Sequence, residues 1–420
     1  MAEIAVVCGS FSKVGKTSLT MKLVNHLQQT HSVDLFTNET IGQEELKEMN
    51  VFASTEVTPD VLVSHPVSLR LVNQVVDWIK QSQKLPEDSS TALKRVRDSF
   101  YFRHVSQGSE CYDLVIHTEQ GIPVGLGIRY QLHPKATGKK DYPKKTIPKA
   151  SIDGYNTQTL YYRHWPYLIT IEENYNHYLG IADILDKLCQ WISNPSLDGS
   201  NPNESYVANS EWTAEYIRDE FDINIGVIHP PVDVDEISSY RKPWENRRNG
   251  FVSMGRITSS KRQLMIIGII ERLVEWGFDT HLHLTGPVAN NDYSRKVVDC
   301  AETSDYVTYH GLLDRTDLLE LLGENKYGIH GKQNEHFGMA VAEMAAAGMI
   351  PYVPKGGGQV EIVESEQLQY CDQNECFEKA TAVIGDAELQ SELRTNLLEN
   401  VREYSVSQFQ NSIDNVISTL

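Results

Sequence analysis

Short apolar runs alternate with amphipathic helical segments along most of this chain, and no other sequence feature constrains the fold as strongly. Residues 4–8 and 112–118 have strand character, whereas residues 17–29 have the apolar spacing of a helix. The same alternation starts again at residues 250–254 and continues to residue 353. Strands that alternate with helices form parallel sheets covered on both faces. The sequence therefore predicts two α/β domains.

A proline-containing segment at residues 229–233 and the polar stretch RKPWENRRNG interrupt this alternation. Proline and polar runs of this kind are typical of connections between domains. We therefore predict an N-terminal Rossmann-like domain at residues 1–235 and a C-terminal Rossmann-like domain at residues 236–404. The remaining segment, residues 405–420, has apolar residues that approximate one helical stripe, so a docking face on this helix is plausible.

Composition excludes several classes of protein. The net charge of −19 over 420 residues disfavours general nucleic-acid binding, which needs a positive face. No apolar run approaches the roughly 20 residues that cross a bilayer, and the first residues lack a basic signal-peptide region. We therefore expect a cytoplasmic protein. The six cysteines include no CxxC pair, so we expect reduced thiols rather than disulfides or structural zinc.

One segment departs from this acidic balance. Residues 94–149 hold 11 lysines and arginines against five acidic residues. Tyrosines and Trp165 accumulate just beyond it, where helix and strand signals are weak. The segment is either a solvated lysine-rich loop or a contact with an anionic surface. We predict the second, because an anionic lipid surface attracts lysines. The residues we assign to this contact are Lys139, Lys140, Lys144, Lys145 and Trp165.

Most of the candidate site residues lie in one stretch, residues 330–363, with the sequence HGKQNEHFGMAVAEMAAAGMIPYVPKGGGQVEIV. An apolar strand ends at its start, a polar loop follows, and a helix of small residues begins near Gly338. The free N–H groups of a helix start attract phosphate. Glu335 and Glu343 are eight positions apart and can face one crevice, and we find no lysine partner for either nearby in the sequence. Apolar neighbours make Glu343 an unusual choice for a merely solvated charge.

A second basic turn lies upstream. In SMGRITSSKRQ, Arg256 and Lys261 follow a predicted strand and precede a helix. Two cations on such a turn can neutralise a diphosphate as it leaves. Alone, the pair would most simply be surface charges.

Taken together, these segments resemble the retaining nucleotide-sugar glycosyltransferases of family 4. The resemblance covers most of residues 205–363, including YVANSEWTAEYI, GRITSSKRQ, the glutamate pair in E-x7-E spacing and GGGQVEIV. It implies the GT-B fold, in which two Rossmann-like domains with parallel sheets face an interdomain cleft. It also implies that the helix at residues 405–420 completes the N-terminal domain.

The resemblance also implies site residues. Arg256 and Lys261 would bind the donor diphosphate, Glu335 would contact the transferred sugar, and Glu343 would hold the ribose hydroxyls. Amides around the helix start would lie near the sugar and phosphates. The helix-start residues in question are Phe337, Gly338 and Met339.

The N-terminal half matches the family more loosely. Members have a glycine-rich loop after the first strand, which only Gly9 and Gly15 represent here, and we assign Gly9 and Ser10 to donor binding. His117 ends a predicted strand where members often place a histidine beside the donor sugar. We assign His117 a catalytic role, although a histidine at a strand end is often structural. Three other histidines could occupy that position instead: His104, His133 and His164.

Three alternatives follow from the same residues. GSFSKVGKTS resembles the phosphate-binding loop of an NTPase, but Ser10 stands where that motif needs its first glycine. The chain could also be a catalytically inactive, glycosyltransferase-like scaffold. Asp233 and Asp235 form a DxD, yet they lie in the predicted linker, and the GT-B fold generally needs no metal. We therefore predict no metal. The resemblance implies no cofactor and a donor linked to GDP or UDP. We expect an acceptor that is a saccharide or is lipid-linked, and we assign its contact to the lysine-rich segment and Trp165.

Overall fold

A computed structural model describes residues 1–8, 15–37, 60–63, 113–118, 158–163, 204–288 and 291–419. The chain divides into two compact units. The N-terminal unit contains Met1–Asn209, Ala214–Val227 and Ser418–Leu420, and the C-terminal unit contains Ser210–Thr213 and Ile228–Ile417. Several predicted residues lie outside the described ranges: Gly9, Ser10, the residues predicted to contact an anionic surface, and the alternative histidines His104, His133 and His164.

The N-terminal unit is built on a parallel sheet of seven strands in the order β3-β2-β1-β4-β5-β6-β7. Buried apolar residues of β1 and α1 fill its core, as the sequence pattern predicts. Its elements are β1 (Glu3–Val7), α1 (Gly15–Leu27), β2 (Ser32–Thr37), β3 (Asp60–Val63), β4 (Leu114–His117), β5 (Gln158–Arg163), β6 (Glu204–Ala208), α2 (Glu211–Phe221) and β7 (Gly226–Val227). The first turn of α2 falls in the C-terminal unit.

The C-terminal unit has a six-stranded parallel sheet in the order β10-β9-β8-β11-β12-β13. Its elements are α3 (Val234–Ser239), β8 (Arg248–Met254), α4 (Gln263–Glu275), β9 (His281–Thr285), α5 (Asp292–Thr303), β10 (Val307–Tyr309), α6 (Arg315–Glu324), β11 (Asn325–Ile329), α7 (Met339–Ala346), β12 (Ile350–Pro354), α8 (Gln359–Val363), β13 (Gln369–Tyr370), α9 (Gln373–Ile384), α10 (Ala387–Asn400) and α11 (Val406–Thr419). Four short 3₁₀ turns connect some of these elements.

Aromatic side chains and a close helix contact form the core of this unit. The ring of Phe251 lies 5.0 Å from that of Tyr327 and 6.0 Å from that of Tyr352. A Cβ on Gly328 would come within 2.5 Å of the sulfur of Met344, so α7 packs directly on β11. Met344 is fully buried, and its replacement by alanine should cost about 2–5 kcal/mol. This packing fixes α7, and with it the loop before it, against the sheet.

The α/β architecture predicted from the alternation is confirmed. The predicted linker needs one correction, because it contains α3, a short helix at residues 234–239. The helix α6 starts at Arg315, because the carboxylate of Asp314 accepts the N–H of Asp317 and caps it. The predicted domain limits, the interdomain cleft and the docking of the last helix stay predictions. In the described ranges, no helix is long and apolar enough to cross a membrane.

Candidate active site

The strand order of the C-terminal sheet reverses between β8 and β11. In open parallel sheets, ligands bind beyond the carboxyl ends of the strands at such a reversal. The turn that follows β8 carries Arg256 and Lys261, and the loop that follows β11 carries His330 and Glu335. The basic turn and the glutamate-bearing loop therefore meet where this fold binds ligands.

Glycines allow the backbones of these loops to approach closely. A Cβ on Gly331 would lie 2.4 Å from the carbonyl oxygen of Lys261, so no other residue fits there without movement. A Cβ on Gly357 would lie 2.4 Å from the carbonyl oxygen of Glu335, and Gly357 also has a positive φ of 79°. The N–H of Gly358 donates to that same carbonyl at 2.8 Å. The GGGQ segment thus fixes the backbone of Glu335.

Three nitrogen-bearing side chains surround the carboxylate of Glu335. Nζ of Lys261 lies 2.5 Å from Oε2, and Nζ of Lys332 lies 2.9 Å from Oε1. Nε2 of His330 donates to Oε2 at 3.2 Å. Lys261 and Lys332 keep about a fifth of their side-chain surface exposed, so a ligand can reach them. We call Lys261, His330, Lys332 and Glu335 the Glu335 cluster.

The cluster holds its acidic and basic groups in defined charge states. Burial alone would raise the pKa of Glu335, but the hydrogen bond from His330 and the charges of Lys261 and Lys332 keep that pKa well below its ordinary value. Burial lowers the pKa of Lys261, and the Glu335 carboxylate opposes that shift. Burial and the Lys261 charge lower the pKa of His330, which favours a neutral ring. Glu335 is therefore an ionised carboxylate held by cations.

The exposed side chain of Arg256, on the same turn as Lys261, carries another positive charge. In the described part of the chain it forms no ion pair or side-chain hydrogen bond, while the amide of Gln263 donates to its backbone carbonyl at 3.0 Å. With Lys261 and Lys332, it gives three cations against one carboxylate. This excess of positive charge suits an anionic ligand, and a phosphate group binds well to such a site.

The helix that we predicted to approach the phosphates is α7. Gly338 precedes it with φ of 107°, a left-handed conformation that favours glycine, and Met339 is its first residue. Phe337 is buried beside His229 and Tyr404, with ring centroids 5.7 and 5.2 Å apart, so only its backbone can serve a ligand. The start of α7 therefore presents backbone amides rather than side chains.

Glu343 has a partner that the sequence did not suggest. Nη1 of Arg315 lies 2.7 Å from its Oε1, while Nη2 of the same guanidinium lies 2.8 Å from Oε2 of Glu236. Although burial opposes it, the Glu343 carboxylate and the Glu236 hydrogen bond raise the pKa of Arg315 above its ordinary value. Arg315 thus joins α3, α6 and α7. Glu335 and Glu343 belong to two separate networks, with no partner in common among the described residues.

Our expectation that neither glutamate has a nearby lysine was wrong for Glu335. Lys332 lies three residues before it and forms an ion pair with it. The (i, i+3) spacing was visible in the sequence, but a loop residue at that spacing meets its neighbour only if the loop bends back. Sequence reasoning also missed His330 and Arg315, because their partners follow from the fold.

One predicted site residue, His117, lies in the described part of the N-terminal unit. His117 is the last residue of β4 and is buried, and Val7 is its partner in the register with β1. The next residue, Thr118, shares a hydrogen bond of 2.8 Å between hydroxyls with Thr20 of α1. This sheet also reverses its strand order between β1 and β4. His117 therefore lies at the equivalent reversal of its own sheet.

In the part of the chain that the structure describes, no group of three or more His, Cys, Asp or Glu side chains is arranged to hold a metal ion. The sequence-based expectation of a reaction without metal stays a prediction.

Similar solved structures define the class of the fold. HepE of Anabaena in complex with UDP aligns over 100% of both chains with a TM-score of 0.64 and 15% identity. WaaG, a glycosyltransferase involved in lipopolysaccharide biosynthesis, aligns over 99% of both chains with a TM-score of 0.62 and 11% identity. At such low identity the likeness concerns the fold alone. The chain has the GT-B fold, as the resemblance in sequence implied.

A family model also matches part of the sequence. Residues 213–404, somewhat less than half of the chain, match the model for glycosyl transferases group 1. The match includes the whole Glu335 cluster. A GDP-Man:Man(3)GlcNAc(2)-PP-Dol alpha-1,2-mannosyltransferase of Dictyostelium discoideum is 26% identical over 236 residues, which are 51% of this chain and 47% of that protein. The chain thus spans about half the length of this relative.

Proposed function

We propose that this protein is a glycosyltransferase that moves a sugar from a nucleotide diphosphate to a lipid-linked oligosaccharide. The observation that carries the proposal is the Glu335 cluster beyond the carboxyl ends of β8 and β11, inside the region that matches glycosyl transferases group 1. An ionised carboxylate beside several cations can contact a neutral sugar and an anionic diphosphate at the same time.

The cations act on the leaving group. When the bond between the anomeric carbon and the phosphate oxygen breaks, negative charge develops on the diphosphate. Lys261 and Arg256 neutralise that charge, and the amides at the start of α7 add fixed donors. Glu335 accepts hydroxyl hydrogen bonds from the transferred sugar, and Glu343 accepts those of the ribose. His117 of the N-terminal unit contacts the donor sugar.

We further propose that transfer retains the configuration at the anomeric carbon. In such a reaction the oxygen of the acceptor bonds to that carbon on the face that the leaving phosphate occupies. The proton of the acceptor hydroxyl passes to the departing phosphate oxygen, which makes a separate protein base unnecessary. The one-bond C1–H1 coupling constant of the product, measured by NMR, distinguishes retention from inversion, also for mannose.

GDP-mannose is the favoured donor. Relatives from fungi, animals and Dictyostelium carry the name GDP-Man:Man(3)GlcNAc(2)-PP-Dol alpha-1,2-mannosyltransferase. A thermal-shift comparison of GDP, UDP and ADP tests the base. A nucleotide at a hundred times its dissociation constant adds about 2.7 kcal/mol to the free energy of unfolding. We expect the largest shift with GDP, and a larger shift with UDP would reassign the donor.

The dolichol-linked acceptor named for those relatives also supports a peripheral contact with the cytoplasmic face of a membrane, made by residues 130–167. Each lysine near an anionic surface contributes about 1 kcal/mol. We expect that changing Lys139, Lys140, Lys144 and Lys145 to glutamate abolishes sedimentation with anionic liposomes and leaves sugar-nucleotide hydrolysis intact. If the parent and the four-lysine variant sediment equally with the liposomes, the segment is only a solvated loop.

A catalytically inactive scaffold is the alternative from another class. It would bind nucleotide sugar without releasing nucleotide. The cluster argues against it, because two lysines and a histidine hold Glu335 ionised. Incubation with several nucleotide sugars and a lipid-linked acceptor, with detection of the free nucleotide, distinguishes an enzyme from a scaffold.

A further inference from the structure

A second basic cluster lies in the C-terminal unit, at the opposite ends of the strands from the Glu335 cluster. Arg247 directly precedes β8, and Lys326 is the second residue of β11. Three further arginines come from the segment before β8, from α10 and from the turn after it. We call the five residues the Trp244 cluster, after the ring at its centre: Arg241, Arg247, Lys326, Arg394 and Arg402.

Three of these cations lie around the ring of Trp244. The guanidinium carbon of Arg394 lies 4.2 Å from the ring centroid, Nζ of Lys326 lies 5.5 Å from it, and the guanidinium carbon of Arg247 lies 5.8 Å from it. The indole N–H donates to the amide of Gln390 at 3.2 Å, which fixes the ring. Cation–π contacts partly stabilise this arrangement but leave its positive charge uncancelled.

None of the five residues forms an ion pair within the described ranges. Arg241 and Arg247 donate instead to backbone carbonyls, from Nε to Ala346 at 2.6 Å and from Nε to Lys242 at 2.9 Å. Nε of Arg394 is buried and has no hydrogen-bond partner. The exposed Glu245 is a carboxylate whose charge acts on Arg394.

The cations are close enough to repel one another. Burial lowers the pKa of Arg247 to about 10, and the charges of Arg394 and Arg241 contribute to that shift. Burial also lowers the pKa of Arg241, with Arg402 and Arg394 contributing. Uncompensated like charges cost stability unless an anion neutralises them. In a chain of net charge −19, such a concentration of positive charge is unusual.

We propose that the Trp244 cluster is a binding site for a phosphate-bearing anion, distinct from the Glu335 cluster. The half-buried Arg394 and Lys326 and the exposed Arg402 contribute donors, and the buried Arg247 supplies a fixed positive field. Guanidinium forks match the geometry of phosphate oxygens. The phosphate group belongs either to a small soluble molecule or to a lipid headgroup.

The test uses the full chain with Lys261→Ala, which weakens phosphate binding at the Glu335 cluster. Calorimetry with inorganic pyrophosphate measures binding of a soluble anion. Sedimentation with phosphatidylcholine vesicles containing phosphatidic acid measures binding of a lipid headgroup. We compare Arg394→Gln, the exposed Arg402→Gln and the control Arg295→Gln, which removes an exposed arginine of α5. Arg402→Gln keeps the test valid if Arg394→Gln fails to fold.

We expect Arg394→Gln to weaken binding of one probe about tenfold, and Arg402→Gln to weaken it by a smaller factor, since each removes charge-assisted hydrogen bonds. The control should bind as the parent does. Weakened pyrophosphate binding assigns the site to a soluble anion, and weakened vesicle binding alone assigns it to a headgroup. Binding of neither probe, or equal binding by the three variants, would overturn the proposal. None of these outcomes depends on glycosyl transfer.

Discussion

Nζ of Lys261 lies 2.5 Å from Oε2 of Glu335, although 74 positions separate the two residues in the sequence. Each residue follows a different strand, and β8 and β11 are neighbours in the sheet. The ion pair therefore depends on the parallel order of the strands and on Gly331, which lets the two loops approach. It also joins the residue proposed to bind the diphosphate to the residue proposed to bind the sugar.

Replacing Lys261 by alanine should lower kcat more than it weakens donor binding, because charge develops on the phosphate in the transition state. We expect a loss of about 100-fold or more in kcat, as for other preorganised electrostatic groups. Steady-state kinetics with the nucleotide sugar measures this loss. Lys355→Ala, at an exposed lysine paired with Glu366, is the matched control. Activity of Lys261→Ala within about twofold of the parent would remove Lys261 from the mechanism.

Lys332 should act as a positioning residue for Glu335. Lys332→Met removes one of the two lysines bound to the carboxylate, so the pKa of Glu335 should rise and the acidic limb of the pH–rate profile should move to higher pH. We expect kcat to fall about tenfold, less than for Lys261→Ala. A lower rate with an unshifted acidic limb would show that Lys332 does not control Glu335.

Glu343 and Arg315 should affect nucleotide affinity together. Loss of a carboxylate that accepts ribose hydroxyls should cost about 1.5–3 kcal/mol in Glu343→Ala. Arg315→Met should weaken binding of free nucleotide as well, because Glu343 loses the contact that orients it, and Arg315→Lys should restore part of the affinity. The two effects should not add in the double variant. Calorimetry that finds full affinity in Glu343→Ala would refute this assignment.

The lowered pKa of the buried His283 should make the free energy of unfolding depend on pH. Burial, with the charges of His281, His310 and Arg248, lowers the pKa of His283 to about 4, from an ordinary value of 6.5. Between these values the unfolded chain binds a proton that the native chain does not, so stability falls as pH decreases from 6.5 to 4. The maximum effect is about 3 kcal/mol. In urea unfolding, His283→Gln should lose less stability across this interval than the parent, and an equal loss would contradict the prediction.

The sequence predicts the strands and helices well where apolar spacing is regular, as in β8 and α4. The positions of Glu335 and Lys261 after predicted strands also led us to predict both as site residues. The sequence could not reveal that Lys332 and His330 hold the Glu335 carboxylate, because this depends on how the loop bends back over Gly331. Arg315 was equally hidden, since its contact with Glu343 arises when α6 and α7 pack on one sheet.

We propose that the residues of the Glu335 cluster support transfer of a sugar from a nucleotide diphosphate. Release of GDP from GDP-mannose, with and without a dolichol-linked oligosaccharide, tests this role when the parent protein is compared with Glu335→Gln. We expect acceptor-dependent release by the parent and a loss of about 100-fold or more in Glu335→Gln, with nucleotide binding retained. Release by Glu335→Gln at the parental rate, or no release from any nucleotide sugar by the parent, would show that the cluster does not perform this reaction.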